Sequence, residues 1–202
     1  IKSRTKKQPH IILENLPITT TAERKLINGD VGNEHKELLL ESINRLNKVQ
    51  TDLIVITCNT VHVFIDDLRS SSLVPILSII EECVAECAER GISKVGLLAS
   101  TKSIQEELHL KQLNHHRIEA VIPNQEDQRK VSDIIVKIIE GSTNRHDKRI
   151  IFEIVKKLKK RGAEAVLLGC TDLHLLVSEI EGLIPLIDSC KILENKVIGA
   201  MI

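Results

Sequence analysis

Two cysteines stand at matched places in this chain. Cys58 closes the apolar run Leu53–Thr57 and is followed by Asn59-Thr60. Cys170 follows the apolar run Ala165–Leu168 and Gly169, and precedes Thr171-Asp172. Beyond each lies an amphipathic stretch, then a proline-led strand: Val74-Pro75-Ile76-Leu77 after the first, Ile184-Pro185-Leu186-Ile187 after the second. The Cys-to-Pro spacing is 17 positions in one case and 15 in the other. This weak repeat reads as two related half-domains, each with a Cys at the C-terminal end of a strand. In open α/β sheets that edge is where ligands bind.

A thiol at a strand-to-helix junction meets the unpaired N–H groups and partial positive charge of the next helix. That setting is expected to lower the thiol pKa. The same amides, with the side chains of Asn59, Thr60 and Thr171, can hold a carboxylate. If the halves face each other, Cys58 and Cys170 flank one ligand from opposite sides, as stereoinversion requires. One thiolate takes the proton from an α-carbon and the opposite thiol delivers a proton to the other face. The α-hydrogen of an amino acid is a very weak acid, so the site must supply fixed donors and exclude water. Nothing in the sequence demands a pyridoxal lysine, and the scheme needs no cofactor.

Other residues near these motifs carry more than one reading. Asn59, Thr60, Thr171 and Ser100 serve either as helix caps or as ligands. His62 and His174 each lie four residues after a site cysteine. The four side chains could form a Cys2His2 zinc site, but the frame is a large α/β domain rather than a small loop-rich one. The reading preferred is no metal, with His62 and His174 supporting the thiols by hydrogen-bonding the substrate or a nearby carboxylate. Asp188 and Ser189 read as loop residues. Cys83, Cys87 and Cys190 read as small buried hydrophobes.

These residues need a frame to position them. Strand-length apolar runs occur at Ile11–Leu13, Leu53–Thr57, Val74–Leu77, Val95–Ala99, Ala120–Ile122, Ala165–Leu168 and Ile184–Ile187. Continuous runs of this kind suit strands buried on both faces of a parallel sheet. Helical periodicity fills Glu34–Val49, Ile79–Arg90, Ile104–Leu113, Val131–Ile139 and Ile150–Lys160. Gly91 and Gly162 fall where helix C-caps are expected. The alternation predicts an α/β fold of two pseudo-symmetric, parallel-sheet half-domains with the active site in the cleft between them. Residues 1–91 with 185–202 form the half carrying Cys58, and residues 92–184 the half carrying Cys170. The basic run at Lys156, Lys157, Lys159 and Lys160 reads as a solvated helix face.

Composition narrows the partners. The 28 basic and 28 acidic residues balance, which argues against nucleic-acid or anionic-membrane binding. Two Phe, with no Trp or Tyr, leave no stacking platform for single strands. No apolar run reaches the ~18 residues of a membrane helix, and no signal-peptide pattern is read at the start. Five cysteines without a dense framework suit a reducing cytoplasm.

At these motifs the chain resembles the aspartate/glutamate racemase family. That family carries CNT followed by Ala or Val and then His, and later GCT followed by an acid. Here they read Cys58-Asn59-Thr60-Val61-His62 and Gly169-Cys170-Thr171-Asp172. Similar context surrounds them at Val95–Ser100, Ile122–Gln128 and Pro185–Ser189. The resemblance implies a cofactor-independent amino-acid racemase of two α/β domains, with Cys58 and Cys170 as the bases. It implies Asn59, Thr60 and Thr171 as ligands of the substrate carboxylate, Ser100 and Ser103 as further substrate contacts, and a homodimer. Aspartate is the first candidate substrate.

Three departures bear on that expectation. The family's glycine-rich first strand, near GGMGP, is not in the sequence, which opens on Ile1. Aspartate-specific members resemble PDRT, whose Arg grips the side-chain carboxylate; here stand Thr19-Thr20-Thr21-Ala22, with Arg24 nearby. Asp172 takes the place of a more usual Glu. The alternatives are a broad-range amino-acid or hydantoin racemase, a maleate-isomerase-like or arylmalonate-decarboxylase-like enzyme, or a silent ligand-binding homologue.

Overall fold

A computed structural model describes residues 9–30 and 34–200. Helix α1 (Thr20–Asn28) starts where the Thr19 hydroxyl accepts the Ala22 N–H, and stops at Gly29 with φ +100°. Helix α2 (Glu34–Lys48) follows, then strand β1 (Ile54–Val55), a 3-10 turn at Thr60–Phe64, helix α3 (Ile65–Ser71) and strand β2 (Ile76–Leu77). Ser78 caps helix α4 (Ile79–Glu89). Strand β3 (Lys94–Ala99) leads to α5 (Thr101–Gln105) and α6 (Leu108–His115). Strand β4 (Glu119–Val121) leads to α7 (Gln125–Ile139) and α8 (Arg145–Lys160). Strand β5 (Ala165–Gly169) is followed by a second 3-10 turn at Thr171–Leu176, helix α9 (Val177–Ile180), strand β6 (Leu186–Asp188) and helix α10 (Ser189–Ala200).

Every strand pairing is parallel, as the apolar runs predicted. The strands form a two-stranded sheet, β1-β2, and a four-stranded sheet ordered β4-β3-β5-β6. In the larger sheet Leu97, Leu98, Leu167 and Leu168 are almost wholly buried because helices cover both faces. On one face Ile134, Ile135, Val155 and Leu158 pack with Leu98, Val166 and Leu168. On the other, Ile79, Cys83, Val84, Cys87, Leu113 and Ile192 pack with Val95, Leu97 and Leu167. A third cluster, including Leu26, Leu39, Ile43, Val61 and Leu68, surrounds Ile54 and Ile76 of the small sheet.

The structure departs from the expected elements in several places. Ile11–Leu13 is not a strand: Ile11 and Leu13 are 68% and 88% exposed, and the segment pairs with no neighbour among the described residues. The helix expected over Ile104–Leu113 is broken at Glu107, which adopts φ +56°. Helices α7 and α8 begin well before their apolar repeats because Asn124 and Asn144 cap them. Val49 lies past the end of α2 and is exposed. Cys190, read as buried, is exposed near the start of α10. Residues 185–202, expected with the first half, divide between the two. Their strand β6 hydrogen-bonds to β5 in the four-stranded sheet, whereas α10 packs on α4.

Candidate active site

Strand register brings the second motif to one edge. Ala99 pairs with Gly169, and Leu168 with Asp188. The next residues, Ser100, Cys170 and Ser189, therefore leave the sheet side by side at its C-terminal edge. Ser100 caps α5, accepting the Ser103 N–H at 3.1 Å. Cys170 opens the second 3-10 turn, and Ser189 opens α10.

The loop after β1 carries the first motif and is tied to this edge by side chains. Thr60 Oγ1 lies 2.9 Å from Ser100 Oγ, and Ser103 Oγ lies 3.5 Å from Thr60 Oγ1. Asn59 Nδ2 donates to Ser189 Oγ at 3.3 Å. In the other direction, Thr171 Oγ1 donates to the Thr57 carbonyl at 3.2 Å. Cys58, Asn59, Thr60, Ser100, Ser103, Cys170, Thr171 and Asp172 thus gather in one place. Ser100 is a helix cap as read, and its hydroxyl also meets Thr60.

The thiols are not as acidic as their position suggested. Burial pushes Cys58 up, although the Thr60 and Val61 N–H groups pull the other way. Burial likewise pushes Cys170 well up, helped by the charge of Asp172 and the nearby Cys58. The expected lowering is therefore corrected: a few amides of a 3-10 turn do not offset loss of water and a close carboxylate. Cys170 Sγ stands 3.6 Å from Asp172 Oδ2, close enough to share its S–H with that carboxylate.

The two histidines differ from each other: His174 meets a carboxylate, one of the expected partners, and His62 does not. His62 is buried, and its Nδ1–H donates to the Cys58 carbonyl at 2.8 Å. Burial lowers its pKa to about 4, and its Nε2 has no partner. It steadies the thiol loop's backbone and meets no carboxylate. His174 is partly exposed and meets Asp188 Oδ2 at 2.5 Å. Asp188, read as a loop residue, ends β6 and accepts the Cys190 N–H at 3.0 Å. Among the described residues no three His, Cys, Asp or Glu side chains gather as a metal cluster.

Two functional candidates were missed. His109, on α6 and fully buried, donates from Nε2 to Asn59 Oδ1 at 3.2 Å. The available signal was a lone His among the apolar positions of Ile104–Leu113. Glu23 is the other. It lies one turn before Leu26 and Ile27, which pack into the clusters containing Cys58 and Cys170 respectively. Burial and the charge of Asp172 raise its pKa, and its own charge acts on Cys58. Arg24, near the place where the resemblance puts an Arg, pairs with Glu140 at the C-cap of α7.

Known proteins resemble this chain in sequence and in fold. The family model for Asp/Glu/hydantoin racemase matches residues 3–197. The broad specificity amino-acid racemase RacX of Bacillus subtilis (strain 168) is 25% identical over 191 residues, 95% of this chain and 81% of that protein. The solved aspartate racemase homologue from Pyrococcus horikoshii OT3 superposes with a TM-score of 0.71 at 28% identity, covering 88% of this chain and 79% of that one. The Picrophilus torridus aspartate racemase shares the fold, with a TM-score of 0.73 at 20% identity over 92% of this chain and 75% of that one. With the family model spanning nearly its whole length, the chain belongs to the Asp/Glu/hydantoin racemase family, whose racemases are isomerases.

Proposed function

We propose that this enzyme inverts the α-carbon of a free amino acid with Cys58 and Cys170 as paired acid and base. The observation that carries this reading is the cross-stitched pair of cysteine loops: Thr171 holds the Thr57 carbonyl, and Asn59 and Thr60 hold Ser189 and Ser100. The Asn59 amide, the Thr60 hydroxyl and the Thr171 backbone N–H are the donors offered to the α-carboxylate. One sulfur, as thiolate, takes the α-hydrogen as a proton, leaving the C–H electron pair on carbon. The other sulfur gives its proton to the opposite face and becomes the thiolate. Proton count is conserved, and the reverse reaction exchanges the two roles. Because both thiols are held protonated by burial, one must first lose its proton. The charge of Asp172 opposes that step at Cys170, and the positive charge of a bound substrate ammonium offsets it and favours the resulting thiolate.

Aspartate is the first substrate to test. A broader range is the second reading, and a specific observation favours it. Arg24 is engaged by Glu140, while Glu23 and Asp172 add negative charge beside the thiols. Among the described residues the charges acting on the two thiols are acidic, which disfavours a second substrate carboxylate, whereas neutral and cationic side chains meet no such repulsion.

The test is to incubate the protein with L-aspartate, L-glutamate, L-alanine and L-lysine in D2O, without cofactor. α-Proton exchange is followed by NMR and inversion by optical rotation. Exchange with racemisation is expected, reduced by at least about 10³-fold in both Cys58→Ala and Cys170→Ala. Racemisation that survives either substitution would sink the two-base assignment. The ranking of the four substrates decides between an aspartate enzyme and a broad-range one.

A further inference from the structure

We infer that His109 is a positioning residue for substrate binding: its ring holds the Asn59 amide so that the nitrogen, and not the oxygen, faces the α-carboxylate. This rests on the role proposed above for Asn59. An Asn side chain has two orientations of nearly equal shape and opposite polarity. The wrong one would present a carbonyl oxygen to a carboxylate. Ser189, the other partner of Asn59, cannot choose between them, because a hydroxyl both donates and accepts. His109 can choose. Its Nε2 faces Asn59 Oδ1 at 3.2 Å, and a carbonyl oxygen only accepts.

The surroundings support a ring kept for that one bond. His109 has no solvent exposure, and its Nδ1 is buried without a partner. An apolar side chain would avoid that cost. Burial lowers the ring's pKa to about 3, so it stays neutral, and with no partner at Nδ1 the tautomer that places its one N–H on Nε2 is the one that leaves no donor buried unpaired. The chain also makes room for it. A Cβ on Gly169 would stand 3.0 Å from His109 Cε1. The imidazole therefore touches both motifs at once, packing on the residue before Cys170 and hydrogen-bonding the residue after Cys58.

The experiment measures kcat and KM for the best substrate in the wild type, H109L, H109Q, N59A and the N59A/H109L double variant. H109M replaces H109L if the latter does not fold, and thermal unfolding verifies each protein. Gln restores an N–H donor near the position of Nε2. The expected result is a KM raised at least tenfold in H109L with a smaller change in kcat, and most of that loss recovered in H109Q. In the N59A background, H109L should add little, because His109 acts through Asn59. Equal losses in both backgrounds, or H109Q no better than H109L, would overturn the inference and leave the Asn59 role intact. An N59A enzyme with wild-type KM would overturn both.

Discussion

Gly169 shows how closely single residues are fitted at this site. An added Cβ would meet His109 Cε1 and Leu97 Cδ1 at 3.0 Å, and the Ala99 Cβ at 3.1 Å. The last two belong to the neighbouring strand and cannot easily retreat. Gly169→Ala is therefore expected to destabilise the fold by about 1–3 kcal/mol in urea unfolding. It should also raise KM more than the packing loss explains, since the His109 ring would be displaced from Asn59. A wild-type unfolding midpoint would show that the strands give way freely. At this scale the sequence was most informative about the cysteines, because residue type, a preceding strand and a following Asn-Thr or Thr-Asp are all local signals. His109 was hidden because its partner Asn59 lies 50 positions earlier in the chain. The direction of the thiol shifts was hidden too. Helix-end amides are visible in a sequence, whereas the burial that outweighs them is a tertiary property.

Element boundaries follow capping chemistry rather than apolar periodicity. Asn144 accepts the Asp147 N–H while the Asp147 carboxylate accepts the Asn144 N–H, so α8 starts five residues before its apolar repeat at Ile150. The break between α5 and α6 is a different case. Residues 104–113 carry one helical pattern, yet Glu107 takes φ +56° and ψ +30°. The left-handed conformation costs an L-residue roughly 1–2 kcal/mol. Glu107→Gly is expected to gain up to about 1 kcal/mol of stability in urea unfolding, while Glu107→Val should lose about that amount or more. The reverse order would mean that Glu107's own contacts decide the break. Periodicity could not reveal the kink, because it leaves the apolar spacing undisturbed and changes only the direction of the chain leading into His109.

For the whole molecule, the alternation of apolar runs and helical stretches was enough to predict parallel sheets in an α/β fold. The length of each strand was not legible, since Ile56 and Thr57 continue an apolar run without pairing. Buried imidazoles add a pH dependence to the stability of this frame. His62 and His109 have pKa values lowered to about 4 and about 3, against 6.5 for a free imidazole. Below pH 6.5 the unfolded chain takes up protons that the folded chain refuses. Their contribution is thus fully present above pH 6.5 and is lost as pH falls toward those values. The slope is about 1.4 kcal/mol per pH unit for each ring. Urea midpoints measured from pH 7 to pH 4.5 should fall steadily, and the fall should be shallower in H109Q. An identical slope in that variant would show that His109 is already protonated in the native protein.

The two cysteine loops are also mounted unequally. Cys170 rides on a five-residue strand paired on both sides, whereas Cys58 follows a two-residue strand that, among the described residues, pairs on one side. A two-residue ladder supplies little stability of its own. Local opening is therefore expected to start in the β1-β2 sheet before the β5 edge, so amide hydrogen exchange in β1 should outpace that in β5; equal protection of the two strands would refute it.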